Sequence, residues 1–448
     1  MKTVIVGAGK VGFELARRLT GEGHDVVVID NNEEALKEIK ENLDVLSIHG
    51  NGASIKVLEK ASIKETSLFI AVTKIDEVNI VACMMAKKAG IERTVARVRN
   101  LEYYGLKDWE LSSQQLGIDL IINPEEAVAY DIFKILKTPT AREVEFFANG
   151  KVKMLGFRVQ EDAFIANKRI EEIRLTSSTV AAILRKDEVL VPSGSTTIYP
   201  KDDIFIVSNA DEPVGLAEST SKAIKKVVIL GGGKIGMRLA QMIEERWPHG
   251  PLVKIIEHNP EVCKKLAEKL HRTLIINGDG TIPDILSEEN IGLSDAFIAV
   301  TSQEQTNLLS GFMAKDMGAK KVIAELHRDS YIPLASKLGI DVTVIPRIIV
   351  ASTILQLIRE PNVASLSLVK EGSVEVIEII LSKDCKAANR AIRHWNFPEG
   401  AVVGAILREE TVIVPRGDTI PLPGDHIIIF ALPTVVPFIE KYFKERVQ

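Results

Sequence analysis

The chain has 448 residues, of which 46% are hydrophobic and 26% charged, an ordinary balance for a soluble globular protein and room for roughly two to four domains. A net charge of −5 and only 5% aromatic residues offer neither a basic surface nor stacking platforms for nucleic acid. Three scattered cysteines (Cys83, Cys263, Cys385) lack a C-x-x-C, which excludes a disulfide frame or zinc site, and the longest apolar stretches, such as 401–407, are too short to span a bilayer.

The first apolar strand, 3–6, starts too close to Met1 to leave room for a signal peptide. It runs into Gly7-Ala8-Gly9-Lys10-Val11-Gly12, a G-x-G-x-x-G loop that opens a helix at Val11. A second strand, 26–30, ends in Asp30, and Asn32 caps the next helix with Glu33 and Glu34 in its first turn. Strands at 45–48 and 68–72, a helix from Asp76 and a strand at 94–97 follow. This alternation predicts a parallel, doubly wound sheet. Pro124-Glu125-Glu126 starts a helix that runs to Leu136. Its apolar residues Val128, Ile132, Phe133, Ile135 and Leu136 suit either an inter-subunit element or a core helix.

The pattern then changes. Short β-branched runs at 143–147, 154–159, 180–184, 189–191 and 204–207 are separated by turns such as Pro192-Ser193-Gly194 and Pro200-Lys201-Asp202. They describe a small α+β module of roughly 70 to 80 residues. The polar stretch 218–226 reads as a linker.

After the linker the chain repeats itself. Strand 227–230 runs into Gly231-Gly232-Gly233-Lys234-Ile235-Gly236, and a later strand ends in Glu257. Gly7 maps to Gly231, Thr73 to Thr301, Asp119 to Asp341 and Pro192 to Pro415, at offsets of 224, 228, 222 and 223 residues. Such drift means small insertions between two copies of one unit. The second small module spans about 366–432, with Pro421-Leu422-Pro423-Gly424-Asp425 turning into the last strand. The expected fold is a tandem duplication of a Rossmann-like parallel-sheet domain followed by a small α+β domain. Its boundaries are 1–138 and 139–218 in the first copy, 225–360 and 361–448 in the second.

The glycine loop has a known physical use. Gly7 permits the tight turn, Gly9 lets a pyrophosphate approach the backbone, and Gly12 lets helix and strand pack. The helix N-terminus then supplies N–H groups and partial positive charge to the phosphates. Asp30 lies 18 residues beyond Gly12, where a carboxylate accepts ribose hydroxyls and repels a 2′-phosphate. That favours NAD(H) or ATP/ADP over NADP(H). Thr73, in Ala71-Val72-Thr73-Lys74 at a strand's carboxyl end, can meet a ribose or phosphate or cap the following helix, and Lys74 joins the same candidate site. Arg97, at the end of its strand, can reach phosphates or form a surface salt bridge. Asn51, in His49-Gly50-Asn51-Gly52, can line the pocket or shape a turn.

The second copy keeps its glycines, Glu257, Asp279 (opposite Asn51) and Thr301, but has Glu325 where the first has Arg97. Its site should therefore bind a polyphosphate less well or prefer another nucleotide. No G-x-S-x-G, H-E-x-x-H or P-loop lysine motif is present, the histidines are scattered, and His394-Trp395 reads as a packed aromatic beside a surface histidine. No catalytic or metal-ligating residues are assigned.

These residues together resemble the Trk-type potassium-uptake regulatory subunits, two-repeat members of the regulator-of-potassium-conductance (RCK, or KTN) family. The specific carriers are the doubled loop, Ala71-Val72-Thr73 with Asp76 and Asn79, Ala299-Val300-Thr301 with Glu304 and Asn307, and Gly424-Asp425-His426. The resemblance covers nearly the whole chain. It implies a cytoplasmic protein, peripheral on the membrane, that binds NAD(H) and ATP/ADP, forms a homotetrameric ring and docks on a potassium transporter of the TrkH or TrkG type. The alternatives are an NAD-dependent dehydrogenase and a regulator of another ion transporter.

Overall fold

In the computed structural model, each apolar run before a glycine loop becomes a central strand of a parallel sheet. The structure describes residues 1–100, 103, 116–148, 150–173, 175, 178–185, 188–190, 192–210, 224–358, 363–369, 374–409 and 411–444. Most of the expected linker at 218–226 and the end of the strand expected at 189–191 lie outside them.

The first copy runs β1 (Lys2–Val6), α1 (Lys10–Gly21), β2 (Asp25–Asp30), α2 (Glu33–Asn42), β3 (Leu46–His49), α3 (Ile55–Lys60), β4 (Leu68–Ala71), α4 (Asp76–Lys88), β5 (Arg93–Arg97), β6 (Leu120–Ile122) and α5 (Pro124–Lys137). Its small module carries β7 (Glu143–Phe147), β8 (Val152–Arg158), β9 (Ser178–Arg185), β10 (Glu188–Leu190) and β11 (Asp203–Asn209). The second copy repeats the order: β12 (Lys226–Leu230), α6 (Lys234–Arg246), β13 (Leu252–Glu257), α7 (Pro260–Lys269), β14 (Leu274–Asn277), α8 (Pro283–Glu288), β15 (Ala296–Ala299), α9 (Glu304–Asp316), β16 (Lys321–Glu325), α10 (Ile332–Lys337), β17 (Val342–Val344) and α11 (Pro346–Ile358). Then come β18 (Val363–Val369), β19 (Val374–Ile380), β20 (Ala401–Arg408), β21 (Thr411–Ile413), β22 (His426–Ala431) and α12 (Val436–Lys444).

The parallel sheets have the order β3-β2-β1-β4-β5-β6 and β14-β13-β12-β15-β16-β17. The chain reverses its direction of growth beside β1 and β12, and ligands of open α/β sheets gather at the carboxyl ends of strands at such a switch point. The antiparallel sheets, β10-β9-β11-β8-β7 and β18-β19-β22-β20-β21, match strand for strand. The duplicated Rossmann-like plus small-module architecture is as the sequence predicted. Helix α3, strand β6 and their counterparts are additions. They are too short for periodicity to betray them.

The chain packs as two units, and their seams fall after Pro124 and Pro346. One comprises Met1–Pro124, Asp187–Val191 and Arg347–Gln448; the other comprises Glu125–Lys186 and Pro192–Pro346. Each parallel sheet thus shares its unit with the last helix and small module of the other repeat. In the first unit, Ile5, Leu15, Leu19 and Val28 form one core with Val350, Ala351, Ile354 and Leu355 of α11 and with Ile377 and Ile429 of β19 and β22. Trp395 closes that core, with its ring centroid 5.4 Å from Phe443 in an edge-on contact. The sheet's other face buries Val4, Val6 and Phe69 under Ala82, Cys83 and Ala86 of α4. A buried ion-pair chain crosses the shared core: Arg18 donates to Glu14 at 2.7 Å and to Glu375 at 3.0 Å. In the second unit α5 is a core helix, with Val128, Ala129, Ile132 and Leu136 fully buried. Phe133 meets Trp247 edge-on at 6.3 Å.

Ile354 is fully buried between repeats, so Ile354→Ala should cost about 2–5 kcal/mol. Denaturant unfolding followed by circular dichroism measures this. A loss below ~1 kcal/mol would contradict the shared core.

Candidate functional site

The site is built around the two glycine loops. Gly7 and Gly231 have φ of +114° and +105°, a conformation that side chains disfavour, and a Cβ on either would come within 3.0 Å of Thr73 N or Thr301 N. A Cβ on Gly12 would lie 1.8 Å from the Gly7 carbonyl oxygen, and one on Gly236 would lie 2.0 Å from that of Gly231. These glycines let the helix start directly beneath the strand end. Gly9 and Gly233 differ, because a Cβ there would meet nothing within 4 Å. They are the N-caps of α1 and α6, and no side chain caps either helix. An α-helix leaves its first N–H groups without internal acceptors. Here those donors open onto the free space beside Gly9 and Gly233, with exposed Lys10 and Lys234 at the first helical positions. Such an arrangement suits an anion.

The acid beyond each loop has a role that its spacing did not reveal. Asp30 accepts the Ala8 N–H at 2.6 Å on one oxygen and the Asn32 N–H at 2.8 Å on the other. Glu257 likewise accepts Gly232 N–H and Asn259 N–H, both at 2.8 Å. Each acid therefore ties its glycine loop to the end of the neighbouring strand. A carboxylate has about four acceptor positions, so two remain open to ribose hydroxyls.

Opposite the loop, Asn79 is a buried hub. Its Oδ1 accepts the Thr73 N–H at 2.9 Å and the Thr73 hydroxyl at 2.7 Å, while its Nδ2 donates to the carbonyls of Thr73 at 3.1 Å and Arg97 at 2.8 Å. Asn307 repeats this with Thr301 and the Glu325 carbonyl. No side chain caps α4, and the Thr73 hydroxyl donates to Asn79 and accepts the Ile75 N–H at 3.2 Å. Lys74 is exposed beside it. Arg97 Nη1 donates to the Thr73 carbonyl at 3.2 Å, which places the guanidinium one residue from Gly7. Asn51 Oδ1 accepts Ala53 N–H at 2.9 Å, and Asp279 Oδ1 accepts Thr281 N–H at 2.9 Å, so both shape turns. Each turn lies over the strand that feeds the loop: a Cβ on Gly52 would be 2.1 Å from Val6, and one on Gly280 would be 2.3 Å from Leu230. Thus Asp30, Asn51, Thr73 and Arg97 do converge on the first loop, and Glu257, Asp279, Thr301 and Glu325 on the second.

Three residues at the sites were not foreseen, because the other repeat supplies them. Arg347, at the start of α11, brings its Nε within 4.0 Å of Glu14, two residues beyond Gly12. Burial works to raise the pKa of Glu14, but Arg17 and Arg18 outweigh it and hold the carboxyl below its usual value. In the second unit Glu126 of α5 pairs with Arg238, two residues beyond Gly236. Its neighbour Glu125 is buried and acts on Glu325. Burial first, and the charge of Glu125 second, push the Glu325 carboxyl up to about 7. His327 Nε2 stands 3.5 Å from it. Aligning Pro124 with Pro346 in the sequence sets Glu125 against Arg347, a sign change that was open to sequence reading but was not drawn from it.

Comparison with known proteins bears on both folds and the modules after them. The TrkA-N domain model matches residues 3–124 and 227–346, and the TrkA-C domain model matches 154–212 and 376–444. The chain is 37% identical to the Trk system potassium uptake protein TrkA homolog 1 of Methanosarcina mazei, over 99% of this chain and 100% of that one. It is 33% identical to the Trk system potassium uptake protein TrkA of Vibrio alginolyticus, over 96% and 95%. Among solved structures, the GsuK channel bound to NAD superposes with a TM-score of 0.63 at 15% identity, covering 99% of this chain and 78% of that one. GsuK bound to ADP gives 0.51 at 12% identity, covering 80% and 69%.

Gly9→Ala should leave the melting temperature within about 2 °C of wild type, whereas Gly12→Ala should lower it by several degrees, roughly 4 °C or more, because only the second forces the loop to move. Thermal scans of the two variants side by side check this. Equal melting temperatures would contradict the loop geometry.

Proposed function

Since the chain belongs to the TrkA family, we propose that it is a nucleotide-sensing regulatory subunit of a membrane potassium-uptake system and not an enzyme. The observation that carries this reading is the doubled, uncapped anion cradle, each copy walled partly by the other repeat. A nucleotide held there would touch both repeats of a unit. It would therefore favour whichever arrangement of them binds it better, and differential affinity is all that coupling requires.

In the first site the backbone of residues 7–12, with Asp30, Asn51, Thr73, Lys74 and Arg97, would hold the ligand. In the second, residues 231–236 with Glu257, Asp279 and Thr301 would do so. Asp30 and Glu257 retain acceptor capacity for ribose hydroxyls, which favours NAD(H) and ATP or ADP over a 2′-phosphorylated cofactor. The NAD- and ADP-bound channel structures of the same fold support those two ligand types. Along the chain, 1–138 and 225–360 would be the nucleotide domains, and 139–218 and 361–448 the small ones.

The partner would be a potassium transporter of the TrkH or TrkG type, engaged at the cytosolic face of the membrane. No helix among the described residues is long and apolar enough to cross a bilayer. A homotetrameric ring is supported by matching exposed apolar side chains: Val81 and Met84 on α4, Leu309 and Phe312 on α9. Currents from the reconstituted transporter, with and without this chain and nucleotide, test the whole reading. Nucleotide-independent currents would overturn it, and NADH oxidation by some substrate would favour a dehydrogenase.

Asp30→Ala and Arg97→Ala should each weaken nucleotide binding at the first site about tenfold or more. Calorimetry showing wild-type affinity in both would refute the site. Met84→Asp combined with Phe312→Asp should convert the ring to smaller species in light scattering without lowering the melting temperature, since both side chains are about two-fifths exposed at 39% and 40%.

A further inference from the structure

We propose that Glu125 and Glu325 make the second site selective for a dinucleotide and against a nucleoside triphosphate. This rests on the nucleotide-site reading above and assigns a ligand class to one of its two sites. Glu325 and Arg97 hold the same place in their sheets. Ala299 pairs with Ala324 as Ala71 pairs with Ala96, and the next carbonyl in each case is bound by the hub asparagine. Glu125 and Arg347 also correspond, each following the proline that starts its helix. At both positions, therefore, the first unit carries a cation and the second a carboxylate.

Glu125 is held near Glu325 by its neighbour. The Glu126–Arg238 ion pair clamps the first turn of α5 to the second turn of α6, the helix that opens at Lys234. The backbone carbonyl of Glu325 is joined to Thr301, the residue against Gly231, through Asn307. Both carboxyl groups are buried, with residue exposures of 8% and 5%, so water screens them little. A pyrophosphate seated beside Gly233 would extend towards this pair. The terminal phosphate of a triphosphate offers only acceptors and negative charge, and a buried carboxyl pair whose members already repel one another opposes it. The second nucleoside of a dinucleotide offers ribose hydroxyls and a carboxamide NH2, all donors that carboxylates accept. The first unit, with Arg97 and Arg347, has the opposite preference.

The test uses the full chain, with NADH and ATP as probes, in a Gly9→Asp background. The new carboxylate fills the open space of the first cradle, so the second site alone reports. The expected result is one NADH per chain, with ATP bound at least about tenfold more weakly. Adding Glu125→Gln and Glu325→Gln should raise ATP affinity at least about tenfold while NADH affinity falls. Glu325→Gln alone should move both in the same directions, which covers loss of the double variant to misfolding. Equal affinities for ATP and NADH in the Gly9→Asp chain, or unchanged ATP affinity in the glutamine variants, overturns this inference. If wild type binds one nucleotide per chain and Gly9→Asp binds none, the second site takes no nucleotide and this inference alone fails. If wild type binds no nucleotide, the proposed function falls with it.

Discussion

The closeness of Gly12 to the carbonyl of Gly7 is the constraint on which the site depends. With no Cβ between them, α1 begins against the end of β1, and its N-terminus points to the carboxyl edge of the sheet. Everything else at the site is arranged around that point. Asp30 reaches back to hold Ala8, so the loop cannot swing away from β2. Asn79 joins the ends of β4 and β5 through four hydrogen bonds, so Thr73 and Arg97 are held as one body. A buried amide with every donor and acceptor satisfied rigidifies its surroundings. A rigid cradle loses little entropy when an anion enters it.

The exchange of helices between repeats links this cradle to the small modules. Glu14 lies two residues past Gly12 and carries two buried or half-buried ion-pair connections onward, one to Arg347 on α11 and one through Arg18 to Glu375 on β19. A shift of α1 on ligand entry would have to move these charges together, because leaving one of them unpaired in the core costs about 3–5 kcal/mol. Packed cores respond to such demands by choosing between discrete arrangements rather than by bending. The fold therefore places a stiff connection between the loop and a module more than three hundred residues away in the chain, as Arg18 and Glu375 are separated by 357 positions.

Much of this was legible in the sequence. The order of strands and helices, the cap at Asn32 and the two loops follow from local pattern, because each depends on neighbours a few residues away. The placing of Thr73 and Arg97 beside the loop followed from the strand-end rule, and that of Asp30 from its spacing. The loop-holding role of the acids did not, because spacing reports where a carboxylate sits and not which backbone N–H it meets. The exchange was also hidden. Helix α11 is apolar on several sides at Ile348, Val350, Ala351, Ile354 and Leu355, which announces burial but names no partner. Nothing local tells a helix which of two nearly identical sheets to cover.

Charge at the second turn of α1 and α6 agrees with the exchange. Position 14 is Glu in the first copy and Arg238 in the second, while the helices that cover them begin with Arg347 and with Glu125-Glu126 respectively. In the exchanged arrangement Arg347 meets Glu14 and Glu126 meets Arg238, while Glu125 meets the like-charged Glu325. Packed on its own repeat, α5 would set Glu126 near Glu14, and α11 would set Arg347 near Arg238, so both contacts would bring like charges together. Among the positions that changed sign between copies, Glu14 and Arg238 each meet an opposite charge from the other repeat. Those that stayed the same, the outer glycines, the loop-holding acids and the hub asparagines, are the ones whose backbone contacts leave no alternative. The two copies thus keep one loop geometry, with Lys10 and Lys234, Asp30 and Glu257 in common, and differ in sign at Arg97 against Glu325.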